Sequence, residues 1–170
     1  MTRKYKVLFL CWENSARSII AEALLRELAG ERFEAFSAGA RPAVRVHSQA
    51  IAQLRPGISD LDVLSPKSWL EFTGDWAPRM DLVIALDDRV DEYHAPAFPG
   101  TPSFCKWNFA DPLAEGMTQA ERARSFEKVF WQIVRRVSVF MELPRYARAA
   151  PESIAAVRAP AFVDEVLCAD

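Results

Sequence analysis

Tyr5-Lys6-Val7-Leu8-Phe9-Leu10 runs straight into Cys11-Trp12-Glu13-Asn14-Ser15-Ala16-Arg17-Ser18, and Ile19-Ile20-Ala21-Glu22-Ala23-Leu24-Leu25 follows at once. The first segment has the composition of a buried strand and the last opens a helix. Residues 11–18 are then a strand-to-helix junction, where backbone N–H groups converge in front of the positive end of a helix macrodipole. Such a spot binds a tetrahedral dianion, and its field favours a thiolate over a thiol. Cys11 is the candidate nucleophile beneath the central atom. Arg17 adds a planar fork that can hold two oxygens at once, which the point charge of a lysine cannot do. Trp12, Glu13, Asn14, Ser15, Ala16, Arg17 and Ser18 are the candidate ligands of a phosphate-type oxyanion. Within them, Asn14 tolerates left-handed backbone and can tie the loop through its amide, and the Ser18 hydroxyl can donate to the thiolate. Trp12 suits the pocket rim or plain packing, and Glu13, awkward beside a dianion, is expected to point outward. The competing reading makes Cys11 a small hydrophobe and Arg17 a solvated helix residue.

Outward from this junction the chain alternates short apolar runs with helical patterns. Phe33–Ala38 reads as a second strand that breaks at Gly39, and residues 47–54 as a helix closed by Pro56-Gly57. Residues 81–86 suit a central parallel strand, and residues 104–109 a fourth. Phe126, Val129, Phe130, Ile133, Val134, Val137, Phe140 and Met141 follow helical spacing and predict one long amphipathic helix. The alternation predicts a three-layer α/β domain with a parallel sheet, its ligand loop at the C-terminal end of the first strand. One domain over residues 1–144 is expected, with 145–170 as a C-terminal extension or tail.

Composition narrows the function classes. A net charge of −2 gives no electrostatic reason to expect nucleic acid or an anionic membrane, and the apolar runs are too short to span one. Arg135, Arg136, Arg145 and Arg148 read as a solvated helix end. With no cationic leader before Tyr5, a cytoplasmic location is the expectation. Three cysteines without repeated spacing argue against a disulfide framework or a zinc cluster, and His47 and His94 lack partners at ligand spacing. No metal is expected. Attack on a phosphoryl group makes the departing oxygen basic, so a positioned acid is needed. Asp111, in a loop with Pro112 behind it, is the candidate; the plainer reading is an Asp that starts a turn.

Cys11 to Ser18, Ala21-Glu22-Ala23, Ser37-Ala38-Gly39 and Trp107-Asn108-Phe109-Ala110-Asp111-Pro112 together resemble the low-molecular-weight protein tyrosine phosphatases and the thiol-dependent arsenate reductases built on the same fold. The resemblance covers about residues 5–141. It implies a flavodoxin-like, four-stranded parallel sheet with a phosphate-binding loop after the first strand. It also implies catalysis by Cys11, Arg17 and Asp111, the last in the family's acid position. Trp107 and Phe109, close to Asp111 in the chain, are read as an apolar setting for its carboxyl. Asn14, Ser18, Glu22 and Ser37 correspond to residues that support the loop. Some arsenate reductases place potassium there with a further Asp, which Lys67 replaces in this chain; its ammonium would stand in for the metal charge, the plainer reading being a surface lysine.

The resemblance leaves the substrate open. Hydrolysis of a phosphate monoester of the phosphotyrosine type, free or on a phosphoprotein, needs only the loop and the acid, and no cofactor. Arsenate reduction needs a second thiol to attack Cys11 sulfur after the first step. Thioredoxin-coupled members carry two resolving cysteines where this chain has Asp87 and Ala95, while Cys105 lies in a strand pattern and Cys168 near the end. An internal relay is therefore not expected, and a reductase of this sequence would draw on an external thiol: glutathione, mycothiol or glutaredoxin. The wording of residues 13–18 and Trp107 before Asp111-Pro112 are nearer the reductase branch. A third reading is a phosphate- or phosphoprotein-binding module without turnover.

Overall fold

Tyr5–Cys11 forms β1, Arg17–Ala29 α1, Phe33–Gly39 β2, Ser48–Leu54 α2, Leu82–Ala85 β3, Ser103–Lys106 β4 and Gln119–Glu142 α3. These come from a computed structural model that describes residues 3–143. The expected extension at 145–170, with Arg145, Arg148 and Cys168, lies outside the described residues. The four strands make one parallel sheet in the order β2-β1-β3-β4. β1 is central because Val7, Leu8, Phe9 and Leu10 are apolar on both faces, and all are fully buried.

The two faces are covered differently. Val7, Phe9 and Cys11 point into the larger core, with Ile19, Ile20 and Leu25 of α1 and Phe126, Val129, Ile133, Val137 and Phe140 of α3. The α3 residues recur at three- and four-residue intervals, so one stripe of that helix meets α1 while its other faces stay wet. Phe130, Val134 and Met141 flank the stripe, partly buried. Leu8, Leu10, Val83 and Ala85 face the opposite way, onto Phe72, Met80, Val90 and Phe98. That third layer is not a helical one: it consists of two short 3-10 turns, Trp69–Phe72 and Asp88–Val90, and the connections around them.

Two elements differ in extent from the sequence pattern. β4 ends at Lys106, three residues earlier than the apolar run suggests. Trp107 still donates its N–H to Ala85 O at 2.8 Å, but its indole turns into the large core against Phe9 and Phe140, and the chain leaves the sheet there. Gly39 is the last residue of β2, paired with Cys11, and not a break before it. The chain moves from β1 outward to β2 and then back across β1 to β3. The crevice where the connections diverge therefore lies beyond the C-terminal ends of β1 and β3, the place open α/β sheets use for ligands.

Candidate functional site

Residues 12–16 cross that crevice as a loop held open from outside. Trp12, Glu13 and Ser15 give their carbonyl oxygens to the N–H groups of Arg41, Ala43 and His47, each at 2.9 Å. A trans peptide sets N–H opposite C=O, so the amides of residues 13, 14 and 16 face away from the 41–47 segment. Asn14 makes the sharp part of the turn at φ 51°, the one non-glycine residue with positive φ among the described residues. Its side-chain amide donates to Ser18 Oγ at 2.7 Å and Ser37 Oγ at 2.9 Å, and its oxygen accepts from the Lys67 N–H at 2.9 Å. Gly39 lets this happen: a Cβ there would stand 2.8 Å from Trp12 O and 2.9 Å from Asn14 N. Asn14→Ala removes all three side-chain bonds and puts a Cβ residue without local compensation in the left-handed region. A loss of about 2–4 kcal/mol in urea unfolding is expected; a loss below about 1 kcal/mol would contradict the tying role.

Inside the loop, Cys11 Sγ lies 2.7 Å from Ser18 Oγ, both side chains buried. Since Asn14 already donates to Ser18 Oγ, the hydroxyl hydrogen is free for sulfur. The helix above has no side-chain cap: its N-cap is Ala16, and no acidic residue occupies the first turn. The first-turn N–H groups of α1 thus remain for an anion. Arg17, itself buried, is only half available. Its Nη1 donates to Leu86 O at 2.9 Å and Phe109 O at 3.2 Å, and its Nη2 to Asp87 Oδ2 at 2.7 Å. Three of the five guanidinium N–H groups are thereby used, which leaves Nε–H and one Nη2–H for an oxyanion.

Asp87 is the first residue the sequence reading did not place in the site. It is buried at the end of the β3 run and caps the following 3-10 turn. Burial works against its charge, but hydrogen bonds from the Arg89 side chain and backbone, and then the bond and charge of Arg17, outweigh it and hold the carboxyl far below the usual range. Arg89 is the second. Its guanidinium lies over the Trp12 ring, 4.9 Å from the centroid, and lines the pocket mouth. Sequence offered one signal, an Asp-Asp-Arg run directly after the central strand, which becomes meaningful only once β1 and β3 are known to be neighbours.

The cavity of about 290 Å³ is lined by Cys11, Trp12, Glu13, Ser15, Ala16, Arg17, Arg89 and Asp111, with Leu113 to Glu115 at the far wall. Asp111 reaches it from the loop after β4, with Oδ1 accepting from the Leu113 N–H at 2.9 Å. Its setting differs from the apolar one inferred from Trp107 and Phe109. Asp111 Oδ2 stands 3.7 Å from Arg17 Nη2 and 3.6 Å from Arg89 Nη2, whereas Trp107 is buried in the core. Glu13 is exposed and Trp12 half-buried, at the outer wall.

The supporting residues sit behind the loop. Burial pushes the Glu22 carboxyl up, opposed by the charges of Lys67 and Arg26 and by hydrogen bonds from Ser37. Lys67 Nζ is 3.7 Å and Arg26 Nη2 3.5 Å from Glu22 Oε1, so side chains supply the countercharge there. Oε2 of Glu22 has no hydrogen-bond partner among the described residues. His47 stacks on Phe126 with centroids 4.9 Å apart, and its Nδ1 accepts from the Gln49 N–H to cap α2. Burial and then Arg122 lower its pKa, which suits an unprotonated acceptor. His94 pairs with Asp91 on the surface, and no group of three metal-binding side chains occurs among the described residues. Cys105 is buried in β4, two strands from Cys11, and Ala95 carries no thiol.

A family model, low molecular weight phosphotyrosine protein phosphatase, matches residues 6–147. The chain belongs to this family. Among curated relatives of this phosphatase-family chain, arsenate reductase 2 of Staphylococcus saprophyticus is 31% identical over 121 residues, covering 71% of this chain and 88% of that protein. The arsenate reductase of Oceanobacillus iheyensis is 31% identical over 138 residues, 79% and 93% of the two chains. A solved arsenate reductase in a phosphate-binding state aligns with TM-score 0.61 and 27% identity over 81% of this chain and 96% of that one. A tyrosine phosphatase from Escherichia coli K30 in complex with sulphate aligns with TM-score 0.64, 20% identity and 82% and 98% coverage, a likeness of fold. The phosphatase-family chain is thus an enzyme of the group that acts on phosphate or arsenate through a cysteine, with the flavodoxin-like sheet expected of it. Among the described residues no helix is long and apolar enough to cross a membrane.

Proposed function

We propose that this family member hydrolyses a phosphate monoester of the phosphotyrosine type, free or on a protein, with Cys11 as nucleophile, Arg17 as oxyanion ligand and Asp111 as general acid. One observation carries the reading: among the described residues a carboxylate, and no second thiol, shares the pocket with Cys11, while the position of a first resolving cysteine holds Asp87, spent on fixing Arg17. Hydrolysis needs an acid and then a base; reduction needs another sulfur.

In the first step Cys11 sulfur forms a bond to phosphorus as the bond to the leaving oxygen breaks, and that oxygen takes the Asp111 proton. The loop amides and the remaining N–H groups of Arg17 hold the equatorial oxygens. In the second step the Asp111 carboxylate takes a proton from water, whose oxygen displaces sulfur and releases inorganic phosphate. Ser18 donates to the sulfur while it is anionic and so makes it a better leaving group.

The names of the curated relatives favour arsenate reduction as the second reading. Cys11 would bond to arsenic and water would leave. An external thiol would then attack Cys11 sulfur, giving a mixed disulfide and arsenite, with arsenic taking the electron pair. Side-by-side assays separate the readings. Aryl phosphate turnover without any thiol is expected, retained in Cys105→Ser and Cys168→Ser. Thioredoxin with its reductase is not expected to sustain arsenate turnover, whereas glutathione with glutaredoxin supports whatever reduction occurs. Arsenate turnover with thioredoxin alone, lost in either serine variant and with no aryl phosphate hydrolysis, would overturn the hydrolytic reading.

A further inference from the structure

Arg89 has no part in the steps above, yet it joins the three connections that make the pocket. Its Nε and its backbone N–H donate to Asp87 Oδ1 at 2.9 Å each, and its Nη2 donates to Asp87 Oδ2 at 2.6 Å. Its flat face lies on Trp12 of the loop after β1. The same Nη2 is 3.6 Å from Asp111 Oδ2 in the loop after β4. Arg17 Nη2 is 2.7 Å from that Asp87 oxygen and 3.7 Å from that Asp111 oxygen. Two guanidinium nitrogens thus face the same two carboxylate oxygens in a closed ring. The Asp87 side of the ring is tight. The Asp111 side is beyond hydrogen-bond length, so Asp111 is steered there by charge and held by Leu113 alone at its other oxygen.

Occupancy changes this balance. A bound oxyanion draws on the remaining N–H groups of Arg17, its last Nη2–H among them, and Arg89 is then the cation left to orient Asp111. Its half-exposed guanidinium keeps both Nη1–H groups outside the contacts named, while Asp87 and Trp12 fix where it stands. Resting on the hydrolytic reading, we propose that Arg89 is the positioning residue for the acid: anchored by Asp87 and Trp12, it directs Asp111 Oδ2 toward the departing oxygen.

The test is a leaving-group series of aryl phosphates on wild type, Arg89→Leu, Asp111→Asn and the double variant, with inorganic phosphate inhibition measured on each. Arg89→Leu is expected to lower kcat by about 10- to 100-fold on the poorest leaving groups and by less than about threefold on the most activated, with phosphate affinity nearly unchanged. In the double variant Arg89→Leu should add almost nothing to Asp111→Asn, because both act through one proton. Arg89→Lys, which keeps charge without the side-on fork, should show the same slope at smaller amplitude, and it serves if Arg89→Leu does not fold. A KM increase with kcat intact would make Arg89 a substrate ligand and overturn the proposal. Equal kcat losses across the series, or multiplicative losses in the double variant, would also overturn it. Wild type inactive on every aryl phosphate would overturn the hydrolytic reading and the role together, whereas an active wild type with an indifferent Arg89→Leu overturns the role alone.

Discussion

Cys11→Ser is expected to lose turnover on aryl phosphate and on arsenate alike, by about 10⁴-fold or more, because a serine hydroxyl at this site has no base to ionise it. The groups near Sγ are an uncapped helix start and the Ser18 hydroxyl at 2.7 Å, neither of them a base. Asp111 Oδ2 faces two guanidinium groups, and in the proposed reaction it serves the leaving side. The cradle itself does not depend on sulfur, since Asn14, Ser37 and the 41–47 segment hold it. Binding of inorganic phosphate, measured by calorimetry, should therefore survive within about threefold while turnover disappears. Activity within about tenfold of wild type would remove Cys11 from the chemistry.

Asp111→Asn should lower kcat by about 10²- to 10⁴-fold on aryl phosphates with poor leaving groups, and much less on activated ones whose oxygen departs without help. The substitution is mild structurally, because an asparagine oxygen can still accept the Leu113 N–H that anchors Oδ1. What it removes is the proton, and the ability of a carboxylate to take one from water afterwards. A uniform loss across the series, or none, would reject Asp111 as the acid.

The parts of this site that were visible in the sequence are those where local chemistry repeats the tertiary role. The junction after Leu10 shows in the change from strand to helix pattern, and Asn14 and Ser18 are the residue types that a tight polar turn requires; in the structure Asn14 takes a positive φ and its amide reaches Ser18 Oγ, which lies 2.7 Å from Cys11 Sγ. Asp87 and Arg89 were hidden because their meaning lies in adjacency. Residue 87 could be read as a missing cysteine, but its pairing with Arg17, 70 positions away, needs the β1–β3 contact that only the strand order reveals. Trp107 misled for the converse reason. Its nearness to Asp111 in the chain suggested a shared environment, yet strand alternation sends its ring to the core with Cys105, while the loop beyond carries Asp111 to the cavity. The irregular third layer was equally obscure, since short 3-10 turns over a sheet carry no 3.6-residue period.

A covalent phosphoryl group on Cys11 is the expected intermediate of hydrolysis. Asp111→Asn should slow its hydrolysis as well as its formation, so with an activated aryl phosphate the intermediate accumulates. Rapid acid quench followed by intact-mass analysis and peptide mapping should find one phosphoryl group per chain, confined to Cys11 and absent in Cys11→Ser. Full aryl phosphate turnover with no phosphoryl group on Cys11, or with the label on another residue, would contradict it.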